Sequence, residues 1–150
     1  ICQLVTKYNK KLIIKTHPSP DELDPSFIAK QISSKITVIK EGNISPLIRS
    51  CDLMIVTDLS SPILDAHILQ RPVISLSIKD NGWGIPTAFK NNSCLVTDLE
   101  KLDGDLKSVL NNERVKNQLI INGTKSSKEY LSYQNNGSKE LIKFLEKLVN

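Results

Sequence analysis

The sequence predicts an α/β fold built on a Rossmann-like parallel sheet, and two observations lead to this prediction. Short apolar runs bounded by polar residues recur along the first two thirds of the 150-residue chain, as in strands buried on both faces of a parallel sheet. Helix-like segments separate these runs, which is the alternation expected of right-handed crossovers. We therefore expect a sheet of about five or six strands with helices on both faces.

The apolar runs place the individual strands. Each run is short and rich in branched side chains, which favours strand over helix. The predicted strands are Leu12–Thr16, Ile36–Ile39, Leu53–Thr57, Val73–Ile78 and Cys94–Thr97.

Helix starts are marked by a proline after a capping residue, because proline lacks the N–H that a first helical turn leaves unpaired. This pattern occurs at Asp24-Pro25, Ser45-Pro46 and Ser61-Pro62, and Ser19–Glu22 has the form of a capping box. After the fifth strand the pattern becomes helical and predicts a carboxyl-terminal helical cap. Its helices are Leu99–Leu110, Glu113–Tyr133 and Ser138–Val149, and the one long irregular loop is Lys79–Asn92.

Composition narrows the class of protein. Hydrophobic residues make up 39% and charged residues 24%, which is average for one soluble globular domain, and no run approaches the roughly 18 apolar residues of a spanning helix. The net charge is +4, with lysines spread along the chain rather than clustered among aromatics, so we expect no nucleic-acid partner. Three widely spaced cysteines fit neither a disulfide framework nor a zinc site. We expect reduced thiols, no metal and a cytoplasmic location.

Polar side chains follow two of the predicted strands at matching places. His17 follows the first strand, and Ser60 and Ser61 follow the third, just before Pro62. Open parallel sheets bind ligands beyond the carboxyl ends of their strands, and the N–H groups that begin the next helix favour phosphate. Asp65 lies one helical turn after Ser61, where its carboxylate can accept hydrogen bonds from hydroxyls. The pattern predicts an anion-binding crevice.

Each of these residues also has a purely structural interpretation. His17 can cap a neighbouring carbonyl, Ser61 with Pro62 begins a helix in any protein, and Asp65 complements the helix dipole. His67 lies on an apolar stretch and is interpreted as a packed or half-exposed helix residue rather than as a ligand-binding one. Trp83 either stacks on a ligand or plugs its loop. The combination of His17 with the two serines is what favours a binding site.

Four segments of the chain together resemble the carboxyl-terminal half of GT-B glycosyltransferases: Lys15–Pro18, Ser50–Ser61, Asp65-Ala66 and Arg71–Ile74. The likeness is strongest to the CDP-glycerol glycerophosphotransferase and the bacterial capsule and sialyl-transfer groups. These carry His-Pro after one strand and Thr-Asp-x-Ser-Ser with a carboxylate four residues on. The chain is similar, more loosely, to non-hydrolysing UDP-N-acetylglucosamine 2-epimerases, which have glycines in place of the two serines and Glu in place of Asp65.

The resemblance implies a role for each site residue. In this family His17 would donate a hydrogen bond to the donor phosphate as a catalytic residue, and Ser60 and Ser61 would bind the other phosphate oxygens. Asp65 would bind the ribose hydroxyls, and the loop containing Gly42 and Asn43 would border the base. No cofactor is implied beyond the nucleotide-activated donor, which is the substrate.

The resemblance also implies the function of the whole domain. Residues 1–150 would form the donor-binding domain of a longer two-domain transferase acting in cell-surface polysaccharide or polymer synthesis. The ligand would be a sugar or polyol phosphate activated by CMP, CDP or UDP. An amino-terminal domain would bind the acceptor and supply the base. The protein would be able to associate peripherally with the inner membrane surface. Three alternatives stay open: half of an epimerase, a non-catalytic nucleotide-binding domain, and an unrelated flavodoxin-like domain.

Overall fold

The computed structural model describes residues 1–17, 19, 24–78, 92–131 and 136–149. Strands and helices alternate along the first two thirds of the described chain, and helices alone follow the last strand, as the sequence predicts. In order the elements are α1 (Cys2–Lys7), β1 (Leu12–Lys15), α2 (Ser26–Ile32), β2 (Ile36–Ile39), α3 (Ile44–Ser50), β3 (Met54–Thr57), α4 (Pro62–Ile68), β4 (Val73–Leu76), β5 (Leu95–Thr97), α5 (Leu102–Asn111), α6 (Glu113–Tyr130) and α7 (Gly137–Val149).

The five strands form where the sequence predicts them and all pair in parallel, which confirms the α/β class. They form two sheets, however. β1 pairs with β2, and β4 lies between β3 and β5. Among the described residues no ladder joins β1 to β3, so the prediction of one sheet of five or six strands is corrected to sheets of two and three. Side-chain packing connects them instead, because Leu12 of β1 and Ile55 of β3 contact the same core cluster.

The three-stranded sheet carries helices on both faces, as predicted. β4 is buried along its whole length, and alternation sends Val73 to one face and Ile74 and Leu76 to the other. The first face packs against α3 and α4 through Ile48, Ile63 and Ala66. The second packs against α1, α5 and α6, and its buried residues are Val5, Ile74, Leu76, Leu102, Leu106, Val109 and Leu119.

The helix starts agree with the sequence in part. Pro62 is the first residue of α4, as predicted. α3 begins at Ile44, so the predicted start at Ser45-Pro46 is wrong: the Asn43 side chain caps the helix by accepting from the Ser45 N–H, and Pro46 falls within the first turn. Proline is tolerated there because the N–H groups of a first turn have no partner within the helix. The proposed capping box at Ser19–Glu22 falls largely outside the described residues.

The carboxyl-terminal third is helical, as predicted. α5 and α6 pack on the second face of the sheet, and α6 also packs against α4. α7 differs from the expected cap, since its large apolar side chains are exposed. Most of the predicted loop Lys79–Asn92, with Trp83, lies outside the described residues. Of the helices described, none combines the length and apolar character that crossing a bilayer requires.

All three cysteines are free thiols, as the sequence predicts. Cys94 is buried in the core cluster on the first face of the three-stranded sheet, and burial raises the pKa of its thiol to about 11. Such a thiol stays protonated and packs as a small apolar side chain.

Candidate functional site

The carboxyl ends of β1 and β2 are tied together by the Lys15 ammonium. Its Nζ donates to the Thr16 carbonyl oxygen at 2.8 Å and to the Lys40 carbonyl oxygen at 2.7 Å. The ladder continues one step beyond β1, where the Thr16 N–H donates to the Ile39 oxygen at 3.1 Å. A lysine has three donor hydrogens, so two bonds to carbonyls leave it with one further hydrogen and its positive charge at this edge.

His17 follows directly and is exposed. Its Nδ1 accepts a hydrogen bond from the backbone N–H of Ser19 at 3.2 Å. A ring nitrogen that accepts carries no proton, so the neutral ring holds its proton on Nε2. The local turn thus makes Nε2 a hydrogen-bond donor, which can bind a phosphate oxygen.

The loop between β2 and α3 contains the two residues predicted to border a base. Gly42 has φ +94°, a backbone conformation that favours glycine, and a Cβ there would meet nothing within 4 Å. Asn43 is exposed, and its Oδ1 is committed to the Ser45 N–H at 2.9 Å. The amide nitrogen of Asn43 and the second lone pair of its Oδ1 are therefore left to contact a ligand without loss of the helix cap.

The turn after β3 is fixed by Asp58. This residue has φ +55°, and its N–H donates to the Leu76 oxygen at 2.8 Å. Its carbonyl oxygen accepts from the Ser75 hydroxyl at 2.6 Å, and its Oδ1 accepts from the Ile78 N–H at 3.0 Å. These bonds anchor the turn to β4 and hold an unfavourable backbone conformation, which aspartate tolerates better than most residues.

The remaining three predicted residues lie at the start of α4. Ser60 is half-buried, Ser61 immediately precedes Pro62, and Asp65 is exposed one turn along the helix. Ser61 makes no side-chain capping bond. With the other described residues, neither the two hydroxyls nor the Asp65 carboxylate forms a hydrogen bond or ion pair, so all three side chains are available to a ligand.

No protein-family model matches this chain, and no curated protein matches it. What this chain does is therefore inferred from the geometry of the site. Of the predicted residues, His17 follows β1, Gly42 and Asn43 lie in the loop after β2, Ser60 and Ser61 follow β3, and Asp65 lies within α4. It does not join the two groups, since within the described residues no ladder or hydrogen bond connects His17 with Ser60 or Ser61. Their convergence on one ligand remains a prediction.

Two structural features near the site were not identified from the sequence. Ser75 is the only polar residue within β4, is 1% exposed and bonds the Asp58 carbonyl. The other is the contact between α4 and α6, where the His67 ring lies against Gly123. The sequence offered two signals for these features: a serine within a buried apolar strand and a glycine within a long helical pattern. Each of these residue types weakens its element, so its presence there indicates a packing or hydrogen-bonding requirement.

His67 is 1% exposed, which confirms its interpretation as a packed residue. Among the residues that the structure describes, neither ring nitrogen has a hydrogen-bond partner. Burial lowers the pKa of His67 from its ordinary value of 6.5, opposed by the nearby Ser93 backbone. The ring is thus held neutral. Across the described residues, no three His, Cys, Asp or Glu side chains approach closely enough to hold a metal ion.

Proposed function

We propose that this chain is the donor-binding half of a GT-B transferase, with a single Rossmann-like domain that holds a sugar or polyol phosphate activated by a cytidine or uridine nucleotide. The ligand phosphates lie beyond the carboxyl ends of β1 and β3. The transferred group passes to a precursor of a cell-surface polymer. An amino-terminal acceptor domain completes the active site.

The observation that carries this proposal is the hydrogen bond from the Ser19 N–H to His17 Nδ1. A histidine that merely ends a strand can hold either tautomer. This one is fixed with Nε2 as the donor, at the edge of the sheet where ligands of parallel α/β folds bind. The Lys15 ammonium adds positive charge to the same edge.

The start of α4 supplies the complementary groups. The two serine hydroxyls form no hydrogen bond with the other described residues, so they can donate to phosphate oxygens. The Asp65 carboxylate can accept from ribose hydroxyls. Asp58 fixes the backbone of the turn that leads to both serines, so the position of this turn is set before a ligand arrives. Such preorganisation strengthens electrostatic stabilisation because no reorganisation is needed during the reaction.

The chemistry that follows is mainly electrostatic. Negative charge grows on the nucleotide phosphate as its bond to the transferred group breaks. Donors at His17, Ser60 and Ser61 stabilise this charge more strongly than the ground state, and that difference lowers the barrier. Beside these donors, the described residues provide no acid–base pair that could deprotonate the acceptor. We therefore assign that base to the amino-terminal domain. The chain alone binds donor without turning it over.

Calorimetric titration with CMP, UDP and CDP-glycerol tests the proposal. His17→Ala and Ser60→Ala should each weaken binding by about 1 to 3 kcal/mol, the loss of one charge-assisted hydrogen bond. His17→Gln keeps a side-chain N–H donor and should recover part of the loss. Ser108→Ala is the matched control, because Ser108 is an exposed serine on α5, away from both strand ends.

The titrations distinguish the outcomes clearly. If the wild-type chain binds none of the three nucleotides, the proposed function is wrong. If it binds one of them with an affinity that neither His17→Ala nor Ser60→Ala changes, nucleotide binding stands but the site does not.

A further inference from the structure

α7 exposes an apolar surface. Its large apolar side chains are each half or more exposed, between 50% for Leu145 and 66% for Leu148. None of them belongs to either core cluster. The surface, here called the α7 face, consists of Leu141, Ile142, Phe144, Leu145 and Leu148. A contiguous apolar surface of this kind on a helix marks a place where another surface binds.

The α7 face has the spacing of a coiled-coil seam. With Leu141 and Leu148 at heptad position a, Phe144 falls at d, so the three lie on one line along the helix. Glu140 and Lys147 then both fall at g, directly beside this seam. Within the helix Glu140 also accepts from Lys143 Nζ at 2.8 Å, an exposed pair that contributes little and leaves the second carboxylate oxygen of Glu140 for a partner. A single flank of the seam thus carries an acidic residue near one end and a basic residue near the other.

This arrangement of charge specifies the partner. We propose that the α7 face pairs with the α7 face of a second copy of this chain, with the two helices antiparallel. In an antiparallel pair position g of one helix faces position g of the other. With a two-fold axis between Ile142 and Lys143, Leu141 packs against Phe144 of the partner subunit. Glu140 then faces Lys147 of the partner subunit diagonally across the seam, and the symmetric contact repeats both pairs.

Other arrangements fit the charges less well. A parallel pair would set Glu140 beside the partner's Leu145, because g then faces e. An anionic membrane would meet both Glu140 and Lys147 at the edge of the apolar face, so the charge at this edge gives no net attraction. Lys139 and Lys143 lie on the opposite side of the helix, away from the lipid headgroups.

The exposed area is adequate for a reversible dimer. Covering five half-exposed large side chains on each of two copies removes on the order of 1,000 Å² from water, which is about the lower limit for a biological interface. The pairing is therefore expected to be reversible and to depend on protein concentration.

Sedimentation equilibrium of the whole chain at several protein concentrations tests the pairing. The wild type should be a monomer–dimer equilibrium, and Phe144→Asp should be monomeric. Because Phe144 is 58% exposed and outside both cores, this variant should keep its fold, which circular dichroism checks.

Charge reversal tests the orientation. Glu140→Lys or Lys147→Glu alone creates two like-charge contacts in the dimer and should raise its Kd about tenfold. The double variant Glu140→Lys with Lys147→Glu restores opposite charges and should return the Kd to near the wild-type value. Lys139→Glu is the matched control, since position f lies on the far side of the helix and its reversal should leave the Kd unchanged.

Three results would overturn the inference. One is a wild-type chain that stays monomeric at high concentration. Another is a dimer that Phe144→Asp leaves intact or whose Kd the double variant does not restore. The third is a monomer that binds vesicles of phosphatidylserine and phosphatidylcholine through the α7 face, as shown by loss of binding in Phe144→Asp.

Discussion

Replacement of Gly123 by alanine should destabilise this protein, although alanine is the better helix former. Gly123 lies within α6, where α6 packs against α4. A Cβ at this position would lie 2.5 Å from Cδ2 of His67 and 3.0 Å from its Cγ. The ring is 1% exposed and cannot move aside without displacing its own surroundings.

The magnitude follows from two opposing effects. Alanine in place of glycine within a helix stabilises by about 1 kcal/mol, because glycine loses more backbone entropy on folding. Forcing a methyl group into a closely packed interface destabilises by about 1 to 3 kcal/mol, and an overlap of this size against a rigid ring lies toward the upper end. We expect a net loss of about 1 to 2 kcal/mol in the free energy of unfolding.

Gly104→Ala is the control, because it should change the free energy of unfolding in the opposite direction. Gly104 lies within α5, and a Cβ there meets nothing within 4 Å, so this variant should be stabilised by up to about 1 kcal/mol. Urea denaturation of both variants measures the two changes. In the background of His67→Ala, which removes the ring, Gly123→Ala should no longer destabilise. A stabilised Gly123→Ala variant, or an equal loss in both backgrounds, would contradict the proposed packing of His67 against Gly123.

The remaining predictions concern His67, Ser75 and Asp58. Because burial lowers the pKa of His67, the unfolded chain binds more protons below pH 6.5, so the free energy of unfolding should decrease as pH falls from 6.5 toward 5. His67→Leu should reduce this slope in urea denaturation at each pH. Ser75→Ala removes the donor to the buried Asp58 carbonyl and should destabilise by about 1 to 2 kcal/mol in the same assay. Asp58→Ala should destabilise more than Asp58→Asn, since asparagine keeps an oxygen for the Ile78 N–H and tolerates φ +55°; equal losses would contradict this account of the turn.

The strands were predictable because burial on two faces leaves a local pattern. Val73–Leu76 is a short apolar run and forms the central strand of its sheet. How strands pair depends on contacts far apart in sequence, and a local pattern does not contain them. The division into a β1–β2 pair and a β3–β4–β5 sheet could not be read from the runs for this reason.

For the site as well, the sequence indicated the positions of residues but not the contacts of their atoms. The spacing of the sequence indicated that His17 and Ser60 follow parallel strands. It did not show which of their atoms form hydrogen bonds. The bond between the Ser19 N–H and His17 Nδ1 depends on the exact course of a turn. Likewise Asn43 and Ser45 are both good capping residues, and the structure selects Asn43. Sequence reasoning placed the residues, and only coordinates showed which of their atoms are left for a ligand.

The two halves of the proposed site are held by independent means, and this has a consequence for ligand binding. The turn at Ser19 and the Lys15 bridge hold His17 on the β1–β2 sheet, whereas Asp58 holds the serine turn on the β3–β4–β5 sheet. No described ladder crosses between these sheets. On the proposed function, a nucleotide bound by both halves would connect them. Because it binds only the folded chain, its binding free energy would add to the free energy of unfolding, by about 2.7 kcal/mol at a concentration one hundred times its Kd.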